Sequence, residues 1–165
     1  SIIQAHNLCY STMISGENLY KYPQLKETDY ETFYISSGPV HFVKPHIATS
    51  LLGKLLKIWL SKRKEIKKRL EKCEDPSLRT ILDKQQLAIK VTCNSVYGFT
   101  GVSGGMFPCV KIAETVTLQG RTMLDRSKHF IEQLSAETLE AVTGKTIQRE
   151  NDASFKVIYG DTDSV

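Results

Sequence analysis

The chain has 165 residues, 41% hydrophobic and 24% charged, with a net charge of +4. This is the make-up of a globular protein with enough apolar material for one core, and it excludes a chain disordered throughout. Nothing resembles a signal peptide or a transmembrane span, since the most apolar stretch, Ile47 to Leu60, is short and carries Lys54 and Lys57. Cys9, Cys73, Cys93 and Cys109 are widely spaced and form no CxxC pair, which argues against a zinc ribbon and a disulfide framework. These features predict an intracellular or nuclear protein with reduced cysteines.

Residues 1 to about 14 are apolar and predict a short helix running into a loop. There is no initiating methionine, and Ser1-Ile2-Ile3 opens inside an apolar element, so the sequence reads as a piece of a longer polypeptide. From Ser15 to Pro45 the pattern is irregular and rich in tyrosine, with Gly16, Pro23, Gly38 and Pro39 as breakers. Strand-like fragments fall at Thr32 to Ile35 and Val40 to Val43. A long helix is predicted from about Ile47 to Lys72 and a second from about Ser77 to Tyr97. The connector Cys73-Glu74-Asp75-Pro76-Ser77 supplies a stop and a fresh start, with Asp75 or Ser77 as N-cap. Two long helices joined this tightly predict an antiparallel hairpin. Gly98, Gly101, Gly104, Gly105 and Pro108 mark a turn-rich passage, and helical spacing returns from Val110 to about Leu134. A polar loop is expected from Ser135 to Ser154, ahead of a final apolar strand. Thr143-Gly144-Lys145-Thr146 imitates a phosphate-binding P-loop, but the glycine required five residues before Gly144 is Leu139.

The modest net charge conceals an asymmetry. Between Lys54 and Lys72 stand nine basic residues, Lys54, Lys57, Lys62, Arg63, Lys64, Lys67, Lys68, Arg69 and Lys72, against Glu65 and Glu71, a local +7. That favours an anionic partner, phosphate or nucleic acid before a membrane, because the aromatic apolar face of an interfacial helix is missing. A solvated helix face is the plainer alternative. Within this helix the apolar stripe runs through Leu52, Leu55, Leu56, Trp59, Ile66 and Leu70. At 100° per residue Arg63 falls inside the stripe, with Lys67 one turn on at its edge. Like charges at this spacing are destabilising unless an anion lies between them, and a triphosphate would satisfy both. Snorkelling, with packed stems and solvated heads, explains the same pattern.

The second helix has an apolar stripe of Leu78, Leu82, Ile89, Cys93 and Val96, and beside it a strip of Lys90, Asn94 and Tyr97. These offer a cation, an amide and an aromatic ring, suited to a phosphate, a sugar or base edge, and a stacked base. Gly98 is read as ending the helix with a residue that permits close approach of a backbone or ligand. A solvated face with a glycine cap accounts for them equally.

The last residues, Val157-Ile158-Tyr159-Gly160-Asp161-Thr162-Asp163-Ser164-Val165, deliver two aspartates one residue apart. Carboxylates about 4 Å apart repel by about 4 kcal/mol at an effective dielectric near 20, so a fold that presents both together commonly supplies a cation. An acidic turn is the alternative. An EF-hand loop fits poorly, because Val165 stands where a third oxygen ligand belongs; oxygen-only donors point to a hard ion, Mg²⁺ or Mn²⁺.

Two segments resemble motifs of the family B DNA polymerases. Lys90-Val91-Thr92-Cys93-Asn94-Ser95-Val96-Tyr97-Gly98 is similar to K-x-x-x-N-S-x-Y-G, and Tyr159-Gly160-Asp161-Thr162-Asp163-Ser164 to Y-G-D-T-D-S. Ser1-Ile2-Ile3 resembles the tail of a third motif, D-x-x-S-L-Y-P-S-I-I. Within the family, Gln4 to Tyr10, Lys84 to Lys90 and Phe99 to Val102 look herpesviral, and Ile112 to Arg121 leans toward the gammaherpesvirus branch.

The resemblance implies an α+β fold, part of a palm (an antiparallel sheet with helices) plus the fingers helical hairpin of a right-hand polymerase. Residues 1–44 and 101–165 would be palm and 45–100 fingers. It implies transfer of a deoxynucleotide from a dNTP to a primer 3′-hydroxyl on a DNA primer-template during viral replication in the host nucleus. Two Mg²⁺ ions, with Mn²⁺ as a substitute, would sit on Asp161 and Asp163, the latter the stronger candidate for direct ligation. Arg63, Lys67 and Lys90 would grip the triphosphate, Asn94 and Tyr97 would line the nascent pair, and Gly98 would lie with Tyr97 against the base or minor groove. Arg121 and the neighbourhood of Lys111 are candidates for contact with the template-primer backbone. A processivity factor is expected for the intact protein through regions outside this sequence. Since the third motif's aspartate would precede Ser1, the 165 residues alone are expected to be catalytically inert. The other reading is a non-enzymatic basic helical module that binds nucleic acid, and a nucleotide-binding regulatory domain is a third.

Overall fold

The computed structural model describes residues 1–105, 107–146 and 154–160, and its elements are of both kinds, an α+β arrangement as expected. Helix α1 is one short turn, Ile2–Ala5, followed by strand β1, Met13–Ser15. Strands β2, Tyr30–Ile35, and β3, Gly38–Val43, form a hairpin through Ser36-Ser37. The left-handed φ of +102° at Gly38 is a conformation that favours glycine there. The sheet is antiparallel in the order β1-β3-β2, with Met13 opposite Phe42 and Phe33 opposite Val40. The central strand has four successive buried residues, Val40 to Val43. Phe33 meets Phe42 edge to face at 5.9 Å and His6 at 5.5 Å. Both predicted strands are present, while β1 falls where a loop was expected because three residues are too few to show alternation.

His41, in the middle of that strand, shares a hydrogen bond with Thr32 Oγ1 at 2.8 Å and packs edge to face on Tyr30. Desolvation lowers its pKa below the ordinary 6.5. A histidine with a depressed folded pKa keeps its full contribution to stability above the unfolded value. It loses that contribution as the pH falls below 6.5, where the unfolded chain takes the proton first. The melting temperature should therefore decline from about pH 7 toward about pH 5, and His41→Gln should flatten the decline. An equally steep decline in the variant would remove His41 as its cause.

Asn7 joins the sheet to the helices. It is buried, with φ +54°, and its side chain donates to Val43 O (2.6 Å) and Ala48 O (2.7 Å) and accepts from Ser50 N (2.9 Å). These bonds hold the backbone at 48–50 outside the helix. Helix α2 accordingly starts at Leu51 and runs to Glu71, not from Ile47 as the apolar run suggested. Ser50 caps it by accepting from Gly53 N at 2.9 Å. Cys9 Sγ accepts from Leu52 N at 3.5 Å and from the Ser11 hydroxyl at 3.2 Å. Burial pushes its thiol pKa up, but these donors outweigh that, and the net shift is downward.

Helix α3, Pro76–Gly101, is capped by Asp75, which accepts from Ser77 N at 2.9 Å, so of the two candidate caps Asp75 is the one used. It continues a full turn beyond Tyr97, and Gly98 is an interior residue, not the C-cap. An interior glycine costs about 1 kcal/mol, which burial of Val96 and Thr100 on either side offsets. The Thr100 hydroxyl donates back to Tyr97 O at 2.7 Å. Helix α4, Val110–Glu132, begins with Ile112 and Thr115 buried, Lys111 Nζ donating to Ser15 Oγ at 2.9 Å, and the Ser36 hydroxyl donating to Glu114 Oε1 at 2.5 Å.

The chain divides into two units, Ser1–Val116 and Thr117–Val165. In the second, helix α5, Ala136–Thr143, occupies part of the expected loop. Ser135 caps its start, accepting from Thr138 N at 3.2 Å, and Gly144 ends it in the left-handed region at φ +66°. Gly144 is thus a helix terminator, in keeping with the rejection of a P-loop. Residues 154–160 form no strand: Val157 N donates to Glu132 Oε1 at 3.2 Å, and no partner strand lies alongside among the described residues.

Candidate nucleotide and nucleic-acid interface

Helices α2 and α3 pack antiparallel over their length, as the short connector demands. Two side-chain links set the register. Arg63 Nε donates to Gln86 Oε1 at 3.2 Å, and Arg79 Nη1 donates to Leu70 O at 3.3 Å. The second link lies seven residues onward along α2 and seven back along α3, so both belong to one register. On α2 the inward positions are Leu52, Leu56, Trp59, Arg63, Ile66 and Leu70, alternating by four and three residues. On α3 they are Leu82, Gln86, Ile89, Cys93, Val96 and Thr100, in the same rhythm. Arg63 and Gln86 are thus a polar layer within a mostly apolar seam.

This register places the predicted binding residues at successive levels along the hairpin. Lys67 stands level with Leu82 and Arg63 with Gln86; Lys90, Asn94 and Tyr97 then follow at four, four and three residues along α3. At 1.5 Å per residue, Lys67 to Lys90 spans about 12 Å of the axis and Lys67 to Tyr97 about 22 Å. Lys67, Lys90, Asn94 and Tyr97 are exposed, and Arg63 is half-buried. Gly98 is exposed, and a Cβ added there would meet nothing within 4 Å.

An open groove of about 320 Å³ beside α2 is lined by Leu60, Arg63, Lys64, Lys67, Lys68 and Glu71. Among the described residues no carboxylate pairs with any lysine or arginine of α2, so the charge of this face is uncompensated among them. Arg63 is half-buried in the seam, as snorkelling predicts, and it also contributes to the wall of a cationic groove. Lys111 is engaged with Ser15, and Arg121 is exposed.

Asp161 and Asp163 lie outside the described residues, and among the described residues no three His, Cys, Asp or Glu side chains converge on a point that could hold a metal ion. Sequence reasoning assigned no role to Gln86 or Asn7. The signal for Gln86 was available, since it fills the gap in the α3 stripe at the level where Arg63 interrupts the α2 stripe.

The family model described as DNA polymerase family B matches residues 1–165. The DNA polymerase catalytic subunits of Saimiriine herpesvirus 2 and of Human herpesvirus 8 are each 64% identical over the whole chain, and that of Epstein-Barr virus is 57% identical over 169 aligned positions. The chain spans 16–17% of the length of these relatives. The match extends from the first residue to the last at these identities: the chain belongs to DNA polymerase family B.

Proposed function

We propose that this chain forms part of the palm and the fingers of a herpesvirus replicative DNA polymerase, with residues 1–44 and 101–165 as palm and 45–100 as the fingers hairpin. Its substrates are a DNA primer-template and dNTPs, and the reaction joins the primer 3′-hydroxyl to the α-phosphate with release of pyrophosphate. The observation that carries this reading is the series of residues along the hairpin, in which three cations are followed by an amide and an aromatic ring. The phosphates would occupy the levels of Lys67, Arg63 and Lys90, and the nascent base pair those of Asn94, Tyr97 and Gly98. Cations there stabilise the charge that gathers on the phosphates during transfer.

Family B polymerases work with divalent metal ions. The donors available at the end of the chain, the carboxylates of Asp161 and Asp163, are hard oxygen ligands and suit Mg²⁺, with Mn²⁺ as a substitute. When bound, such ions activate the attacking oxygen and stabilise the leaving one. The working compartment is the host nucleus, and a processivity factor joins the intact enzyme elsewhere in its length.

Kinetics of Lys90→Ala in the intact polymerase test this reading. KM for dNTP should rise at least about tenfold and kcat should fall, with primer-template affinity changed by less than about twofold. A purely nucleic-acid-binding hairpin gives the opposite pattern, a loss of DNA affinity that steepens with salt and an unchanged KM.

A further inference from the structure

The polar layer in the α2/α3 seam has a direction. Asp83 Oδ1 accepts from Gln86 Nε2 at 3.1 Å, one turn away on the same helix. A carboxylate only accepts, so the amide nitrogen of Gln86 must face Asp83, which leaves its oxygen toward α3's partner helix. There it receives Arg63 Nε at 3.2 Å. All three residues are half-buried. Arg63 uses the hydrogen on its inner nitrogen for this bond, and its two terminal nitrogens have no partner among the described residues.

We propose that Gln86, oriented by Asp83, is a positioning residue that fixes the guanidinium plane of Arg63 so that its terminal nitrogens are presented to the incoming triphosphate. The proposal rests on the reading of Arg63 as a triphosphate ligand. An arginine side chain otherwise has considerable rotamer freedom to lose on binding, and one bond at Nε removes much of that freedom before the nucleotide arrives. The planar fork then offers two hydrogen bonds in a set orientation. A wholly apolar layer would hold the hairpin together equally well, because replacing buried polar partners by hydrophobic residues of similar volume is often neutral or stabilising. The layer's contribution is therefore to function, and its removal separates stability from nucleotide affinity.

The test uses the intact polymerase with Gln86→Met, which has nearly the same length and helix propensity but no acceptor. The expected result is a KM for dNTP raised roughly five- to tenfold, kcat within about twofold, and a modestly lowered melting temperature, since Arg63 Nε is left half-buried without its acceptor. Asp83→Ala, on the outer side of the layer, should raise KM in the same direction by roughly twofold, which provides a second route if the methionine variant folds poorly. In an Arg63→Ala background, Gln86→Met should produce no further rise, since it acts through the guanidinium. An unchanged KM in Gln86→Met, or an effect that persists in full without Arg63, overturns the positioning role. An unchanged KM in Arg63→Ala overturns the triphosphate reading itself, and the two failures are thereby distinguished.

Discussion

Asp163→Asn in the intact polymerase is expected to abolish Mg²⁺-dependent primer extension, with a loss of at least about a thousandfold in kcat and little change in primer-template affinity. The substitution is nearly isosteric and keeps one oxygen ligand, so what it removes is charge. Asp161 and Asp163 are adjacent enough in sequence to repel unless a cation lies between them. If that cation is a divalent ion at the reacting centre, halving the carboxylate charge weakens its binding and the stabilisation of the transferring phosphate together. Raising Mg²⁺ or supplying Mn²⁺ should recover part of the activity, as expected of weakened metal affinity and not of misfolding. Near-normal extension by the variant would exclude Asp163 as a ligand. Asp161→Asn compared under the same conditions tests whether the two carboxylates contribute unequally.

The second large effect is on stability and lies far from the chemistry in sequence. Asn7→Ala removes three side-chain hydrogen bonds and leaves Val43 O, Ala48 O and Ser50 N without their partner. Stranded buried groups cost about 1–3 kcal/mol each where water cannot replace the bond. Alanine at φ +54° adds about 1 kcal/mol of backbone strain. A net loss of about 4 kcal/mol is expected, a large part of the 5–15 kcal/mol typical of a folded domain. Asn7→Gly lacks the strain and should be milder by about 1 kcal/mol. Equilibrium unfolding of the three proteins measures both differences. Equal losses for Ala and Gly would show that the left-handed backbone contributes nothing, and a loss below about 1 kcal/mol in both would show that the bonds are replaced.

The long hairpin was legible in the sequence because two stripes of about twenty residues rise above local noise, and a five-residue connector left one way to pack them. The sheet hairpin was legible for a similar reason, since Gly38 and Pro39 separate two β-branched and aromatic runs. What escaped depended on partners remote in sequence. Gly98 reads as a stop by propensity, yet Val96 and Thr100 are buried on either side and carry α3 through it. Helix α5 has only eight residues and too little periodicity to oppose its polar composition. Residues 154–160 have the composition of a strand, but a strand exists only when another pairs with it. Asn7 falls in the apolar opening read as a short helix running into a loop, and its role comes from bonds to residues 36 to 43 positions away. For the candidate site, spacing singled out Arg63, Lys67, Lys90, Asn94 and Tyr97 but left a solvated face open, whereas their order along the hairpin required the register between the helices.

That register also turns the hairpin into a lever whose arm differs for each residue. Its base is the Asn7 and Ser50 junction, and Tyr97 stands about 3 Å above Ser50 along the axis while Lys67 stands about 25 Å above it. Any rotation about that junction by 10°, for illustration, displaces Lys67 by roughly 4 Å and Tyr97 by roughly half an ångström. On the roles proposed above for these residues, such a rotation would carry the cations at the far end toward or away from the phosphates while the aromatic surface near the fulcrum stayed nearly still, separating the capture of charge from the inspection of shape.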